Sequence, residues 1–339
     1  MGTITCVSNF TNLSRKSISW SSSSSLSSSL SIFKNPILIS RSFSFSSSMA
    51  AASLLQFSAS SSTAGKAIVG ENDLLIVGPG VLGRLVAEKW REEHPGCRIY
   101  GQTVTTDHHD ELLSLGINPL LKETKTDQKF PFVIFCAPPS KTPDYPGDIS
   151  LAALSWNGEG SFVFTSSSAP YDCNNNGPCD EDTLNVPIGR SPRTDNLLKA
   201  EKVVLDFDGC IVRLAGLYKI DRGAHFYWLH KGTVDARPDH ILNLIHYEDA
   251  ASLSVTILKK KLRGRIFLGC DNHPLSRQEV MDLVDKSGKF DIKFYGFTGT
   301  SDPLGKKLSN SKTRKELGWE PKYPSFAHFL GVSELIYSF

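Results

Sequence analysis

The first seventy residues contain no aspartate and no glutamate. They carry five basic residues, Arg15, Lys16, Lys34, Arg41 and Lys66, and long serine runs such as SSSSSLSSS. A serine-rich, acid-free segment offers too little apolar surface to build a core, and its composition is that of an organelle transit peptide. Its longest apolar stretch, NPILIS, is far too short for a secretory core or a membrane span. Residues 1–70 are therefore read as a targeting segment. The address is the chloroplast stroma, with the mitochondrion as the alternative, and Met49 offers a second start.

Other absences narrow the remainder. No apolar run anywhere reaches membrane-spanning length, and no internal repeat is visible. The seven cysteines form no C-x-x-C and have no histidine at metal spacing, which excludes a recognisable metal site and suits a reducing compartment. The chain has 37 basic and 35 acidic residues. Removing the five leading basic residues leaves 32 against 35, a net charge of −3. A slightly acidic body gives nucleic acid no surface. The basic run LKKKLRGR lies between a helix and an apolar strand and reads as a solvated helix end.

What is present alternates. DLLIV, CRIYGQT, INPL, FPFVIFCAPP, SFVFTSSS and CIVRLAGLY read as strands. Between them lie helical patterns, including DHHDELLSLG with Asp107 as N-cap, DISLAALSW, and SPRTDNLLKAEKVVLDF. This rhythm predicts an α/β, doubly wound, mostly parallel sheet over residues 71–216. After Tyr218 the spacing loosens, and residues 217–339 read as the end of the sheet plus a smaller interleaved C-terminal lobe. Ligands of such sheets sit at the carboxyl ends of the strands.

Gly78-Pro79-Gly80-Val81-Leu82-Gly83 is G-x-G-x-x-G, a weak signal alone. Here it follows a buried strand and opens a helix, the context in which it binds a dinucleotide. Gly78 permits the tight turn, Gly80 lets a pyrophosphate approach the backbone, and Gly83 lets helix and strand pack. The helix N-terminus supplies amide donors and partial positive charge. A ligand-free turn is the plainer alternative. The end of the second strand reads Gly101-Gln102-Thr103-Val104-Thr105, without the acid that normally holds a ribose diol. Arg84, after the last glycine, suits a 2′-phosphate, so NADP(H) is favoured over NAD(H). An exposed first-turn arginine is the other reading.

These motifs, with FVFTSSSAPYDC, IVRLAGLYKIDRG, LIHYEDAA and KELGWEPKYPSF in this order, resemble the extended short-chain dehydrogenase/reductases. That group includes UDP-sugar epimerases and dehydratases, and the similarity is greatest to an atypical bacterial and plant subgroup. It covers Glu71 to Leu330. The resemblance implies a Rossmann fold, an NAD(P) cofactor whose contacts include Ala137 and Pro138, and an oxidoreductase, epimerase or dehydratase acting on a small metabolite. It also implies a serine that orients a carbonyl or alcohol, a tyrosine that exchanges a proton, and a lysine that lowers the tyrosine's pKa. Such a set is needed because an unperturbed phenol, near pKa 10, is a poor base at neutral pH.

Ser168 matches the serine. The family pattern S-P-Y-x-x-x-K-x-x-x-E lies without a gap on Ser191 to Glu201, with arginine at 193 and leucine at 197. Lys199 and Lys202 point well away from position 197 on a helix. The usual pair is absent. Arg193 is either an anchor for an anionic substrate or a surface arginine, and Leu197 fills the space of the lysine. Tyr171, Tyr218 and His246 are the remaining donors, each also at home in a core. Asp107 to Asp110, DHHD, lacks metal-ligand spacing. Cys173 and Cys179 flank NNNGP after Ser168; two unrelated free thiols are the plainer reading, and a disulfide redox switch over the cleft is the alternative. Three functions stay open: an atypical enzyme with Ser168, Tyr171 and Arg193 as its candidate residues; a catalytically silent NADP(H)-binding redox reporter; and an RNA-associated protein, which the acidic body disfavours. The resemblance makes a homodimer one possible assembly, since dimers are common among the relatives.

Overall fold

The computed structural model describes residues 68–124 and 127–333. All but the last three residues of the expected targeting segment lie outside these. From the N-terminal side the elements are β1 (Leu74–Val77), α1 (Val81–Glu93), β2 (Ile99–Thr103), α2 (His109–Ser114), β3 (Ile117–Leu121), β4 (Phe130–Phe135), α3 (Tyr145–Leu154), β5 (Trp156–Ser167), α4 (Pro192–Asp206) and β6 (Cys210–Leu214). There follow α5 (Ala224–Lys231), α6 (Tyr247–Lys260), β7 (Ile266–Gly269), α7 (Arg277–Ser287), α8 (Ser311–Leu317) and α9 (Phe326–Leu330). All seven of these strands pair in parallel, in the order β7-β6-β5-β4-β1-β2-β3. The order reverses between β1 and β4, so a crevice opens past the carboxyl ends of those two strands. Val77 lies level with both Gln102 and Phe135, which sets the floor of that crevice.

Side-chain alternation divides the core into two layers. Leu74 and Ile76 of β1 pack with Val86 and Trp90 of α1 and with Leu253 and Leu258 of α6. Leu75 and Val77 face the other way, toward Ile149 of α3 and Leu197 and Val204 of α4. Both faces are covered, so the strands read as continuous apolar runs rather than as alternating ones.

Three local expectations change. The helix expected from Asp107 begins at His109, because the Asp107 carboxylate accepts from the Thr105 hydroxyl (2.9 Å) instead of capping. CIVRLAGLY divides: Gly216–Tyr218 leaves the main sheet to pair in parallel with Leu244–His246. The Gly216 amide donates to the Asn243 carbonyl at 2.9 Å, and a Cβ at 216 would sit 3.1 Å from that oxygen. Of the pattern FAHFLGVSELI, α9 covers Phe326–Leu330 and ends at Gly331 (φ +68°), and the last three residues of the pattern lie outside the described residues.

The C-terminal half is stitched to the sheet by asparagines. Asn176, at φ +59°, accepts from the Ile241 and Gly305 amides (3.0 and 2.7 Å) and donates to the Asp239 carbonyl. Asn243 bridges the Lys306 carbonyl and the Leu308 amide. Asn310, fully buried, donates to the Leu268 and Cys270 carbonyls at the edge of β7. Lys306–Leu308 in turn pairs in parallel with Gly177–Cys179, placing the late chain against the loop after Ser168.

Candidate functional site

The three glycines of the turn are needed for three different reasons. Gly78 has φ +80°, and a Cβ there would meet the Ala137 backbone at 2.6 Å, so β1 and β4 can close together only around glycine. A Cβ at Gly83 would meet Ile76 Cγ2 at 2.9 Å and the Gly78 carbonyl oxygen at 3.1 Å, which fixes how closely α1 lies on β1. At Gly80, φ is −78° and a Cβ would meet nothing within 4 Å. Neither strain nor packing requires glycine at that position. Gly80 occupies the N-cap of α1, with no side-chain cap and no acid in the first turn, so the helix start faces open space with its positive end uncompensated.

That space belongs to a cleft of about 1110 Å³. Its lining runs from Gly78, Gly80 and Val81 through Ala137 and Pro138 on one side and Arg84, Gln102 and Thr103 on the other. Ala137 is held by its carbonyl, which accepts from the buried Tyr145 hydroxyl at 2.8 Å. The structure thus brings Gly78, Gly80, Arg84, Ala137 and Pro138 to one cavity, with Gly83 behind it as packing.

Arg84 does not stand free. Its guanidinium is forked onto Glu111 of α2, with Nη1 donating to Oε1 and Nη2 to Oε2, the latter at 2.9 Å. Its Nε donates to the Pro79 carbonyl at 3.2 Å. The arginine pulls the Glu111 carboxyl below the usual carboxylate range. A carboxylate 27 residues beyond Arg84 thus reaches the guanidinium beside the acid-free end of β2. DHHD separates into single contacts: His108 lies 3.4 Å from Glu111, and His109 Nε2 lies 2.8 Å from the Thr103 hydroxyl. No group of three or more potential metal ligands occurs among the described residues.

Ser168 follows the last residue of β5, half-buried, its amide donating to the Leu214 carbonyl at 3.0 Å. The neighbouring Ser166 is committed elsewhere. Its hydroxyl donates to Glu201 at 2.6 Å, and Glu201 is also forked by Arg213, with Nε to Oε1 at 3.0 Å and Nη2 to Oε2 at 2.6 Å. Arg213 bonds Asn185 and lies 4.6 Å from the centroid of the Tyr171 ring. Tyr171 is 1 % exposed and burial pushes its hydroxyl up to about 12, against the pull of Arg213. It packs beneath this network, and a phenol raised this far stays protonated at neutral pH. Lys306 reaches the same turn from the C-terminal lobe, donating to the carbonyls of Tyr171 (2.7 Å) and Ser168 (3.2 Å), and burial depresses its pKa.

Arg193 lies exposed on the first turn of α4 and makes no ion pair with a described residue. Leu197 is buried against the layer containing Phe164 and Val204. Lys202 pairs with Asp206 on the outer surface. Tyr218 and His246 belong to an aromatic cluster with Phe326 and Phe329. His246 caps α6 by accepting from the Glu248 amide at 3.3 Å, and burial lowers its pKa to about 4. Cys173 and Cys179 are free thiols, Cys173 half-buried and Cys179 buried, and burial raises the latter.

Sequence reasoning missed Glu111, Arg213 and Lys306. Glu201 is the glutamate that ends the family pattern, and it points to the network, but nothing in the local sequence marks its partners.

No protein-family model and no curated protein matches the sequence. Solved structures are similar in fold. A functionally unknown conserved protein from Silicibacter pomeroyi superposes with a TM-score of 0.63 at 20% identity, covering 76% of this chain and 96% of its own. UDP-glucose 4-epimerase from Thermotoga maritima gives 0.60 at 16% identity over 76% and 96%. The dTDP-glucose 4,6-dehydratase of Bacillus anthracis, solved with NAD, gives 0.61 at 14% identity over 76% and 94%. The fold of this chain is the Rossmann-type α/β fold of the NAD-dependent epimerases and dehydratases.

Proposed function

We propose that the chain binds NAD(H) or NADP(H) in the cleft at the carboxyl ends of β1 and β4. On this reading it acts as an atypical oxidoreductase, epimerase or dehydratase on a small anionic metabolite. Gly80 carries the reading: it is a glycine that neither backbone angle nor packing demands, placed where a pyrophosphate would meet the start of α1. Gly78, Gly80, Ala137 and Pro138 would hold the dinucleotide, whose nicotinamide supplies the hydride chemistry. Ser168 orients the reacting oxygen. Arg193, an exposed cation with no ion pair among the described residues, anchors the anionic group. The proton moves through a donor other than the usual tyrosine. Fluorescence titration of the full-length chain with NADH and NADPH tests cofactor binding. A substrate screen then tests turnover: Ser168→Ala and Arg193→Ala are expected to abolish it while leaving dinucleotide affinity intact.

A second reading is a silent dinucleotide-binding reporter of redox state. It is favoured by the burial of Leu197, which stands at the position of the usual lysine, and of Tyr171, one of the remaining candidate donors. Under it only changes in the cleft alter the measured behaviour, and Ser168→Ala changes nothing. The plastid address of residues 1–70 is part of the proposal. Import of a reporter protein fused behind those residues checks it.

A further inference from the structure

The ribose end of the cleft contains a built ion pair that the cofactor must meet. Arg84 and Glu111 both line the cavity, continuous with the glycine turn through Gln102 and Thr103. Three donors of the guanidinium are in use, one on the Pro79 carbonyl and two on the Glu111 carboxylate. A guanidinium has five N–H groups in a fixed fork, and a bidentate carboxylate takes the edge that a phosphate would need. The other cations lining this part of the cleft are occupied as well. Lys122 donates to Asp148 at 2.5 Å, and Lys129 donates to the Leu154 carbonyl. Among the described lining residues, no lysine or arginine is therefore left uncommitted for a 2′-phosphate.

We propose that Glu111 is the selectivity residue of the cleft: forked onto Arg84, it offers a carboxylate to a ribose diol and withholds the guanidinium from a 2′-phosphate, so the chain takes NAD(H) in preference to NADP(H). The inference rests on the dinucleotide reading above. It reverses the cofactor preference that Arg84 suggests when its partner is unknown. A 2′-phosphate entering beside Glu111 meets like charge and must displace a two-point ion pair, whereas a diol finds an acceptor already in position. Both side chains are partly exposed, 27% for Arg84 and 49% for Glu111, so the discrimination is moderate.

The test is a titration of the full-length chain and two variants with NADH and NADPH at one ionic strength. The parent is expected to bind NADH more tightly. Glu111→Gln removes the charge, keeps the shape and frees Arg84; the ratio of affinities should move toward NADPH by about tenfold, the scale of one charge-assisted hydrogen bond. In Arg84→Met/Glu111→Gln that gain should vanish, because the released guanidinium is its source. Thermal melts establish that each variant is folded, and Glu111→Ala repeats the test should the glutamine variant be unstable. A parent that prefers NADPH, an unchanged ratio in Glu111→Gln, or a gain surviving without Arg84 each overturns the inference while leaving dinucleotide binding in place. A parent that binds neither dinucleotide overturns the functional reading itself, and the selectivity inference falls with it.

Discussion

Gly80 separates architecture from function at the level of one atom. A methyl group at Gly78 collides with the Ala137 backbone and at Gly83 with Ile76, so those substitutions report on folding. A methyl at Gly80 meets only open cleft. Gly80→Ala is therefore expected to keep stability within about 1 kcal/mol, the range of N-cap changes, and to weaken dinucleotide binding at least tenfold. Denaturant melts and fluorescence titration read the two effects separately. Asp271 gives a pH test at the same scale. Its side chain is 2% exposed, one carboxyl oxygen accepts from the His273 amide and the other has no partner among the described residues, and burial pushes its pKa up to about 8. Between the unfolded value near 4 and the folded value near 8, the native chain holds a proton that the unfolded chain has released. This carboxyl thus subtracts stability as pH rises through that window. Asp271→Asn cannot ionise, and its melting temperature relative to the parent should rise between pH 5 and pH 8. A constant difference would mean the carboxyl does not titrate there. At this scale the sequence was informative about glycines and uninformative about partners, because Glu111 reaches Arg84 through the fold and not through spacing.

Among the elements, α4 shows what replaced the missing catalytic pair. Ser191 and Pro192 start it as the sequence indicates, the serine hydroxyl accepting from the Thr194 amide at 3.2 Å. One turn along, Leu197 packs into the layer beneath α3 and α4, so the position of the usual lysine has become core. One turn further, Glu201 locks α4 onto β6 through Arg213, with Ser166 of β5 as third member. Both ions are almost fully buried, at 3% and 2% exposure, so removing one leaves the other uncompensated. Arg213→Ala is expected to cost about 3–5 kcal/mol, and Glu201→Gln less, since the amide still accepts one bond. Urea unfolding measures both, and a loss below about 1 kcal/mol for Arg213→Ala would show that the network does not hold the two elements together. The heptad-scale pattern of α4 was legible, as were the strands, because their periodicity is local. The break of CIVRLAGLY at Ala215 was not, because it depends on Asn243 and β7 arriving from later in the chain. Tyr171 illustrates the same limit: its motif left both chemistry and packing open, and its neighbours Arg213 and Asn185 come from elsewhere in the chain.

The molecule as a whole has its sheet order reversing between β1 and β4, its glycine turn opening there, and its later chain folded back onto the loop after Ser168 through Lys306. The parallel sheet and the crevice could be read from strand–helix alternation and the glycine motif. The way the C-terminal lobe returns could not, because Asn176, Asn243 and Asn310 are polar residues whose bonding partners lie tens of residues away. The solved structures named above are 14–20% identical to this chain, so they speak for the fold, and use of the cleft is a question for binding. The most direct measurement is the fluorescence titration of the full-length chain with NADH and NADPH. Saturable binding of a dinucleotide is expected, NADH the tighter, weakened at least tenfold in Gly80→Ala while the fold persists. Binding of neither would contradict it and reduce the glycine turn to a device for packing α1 on β1.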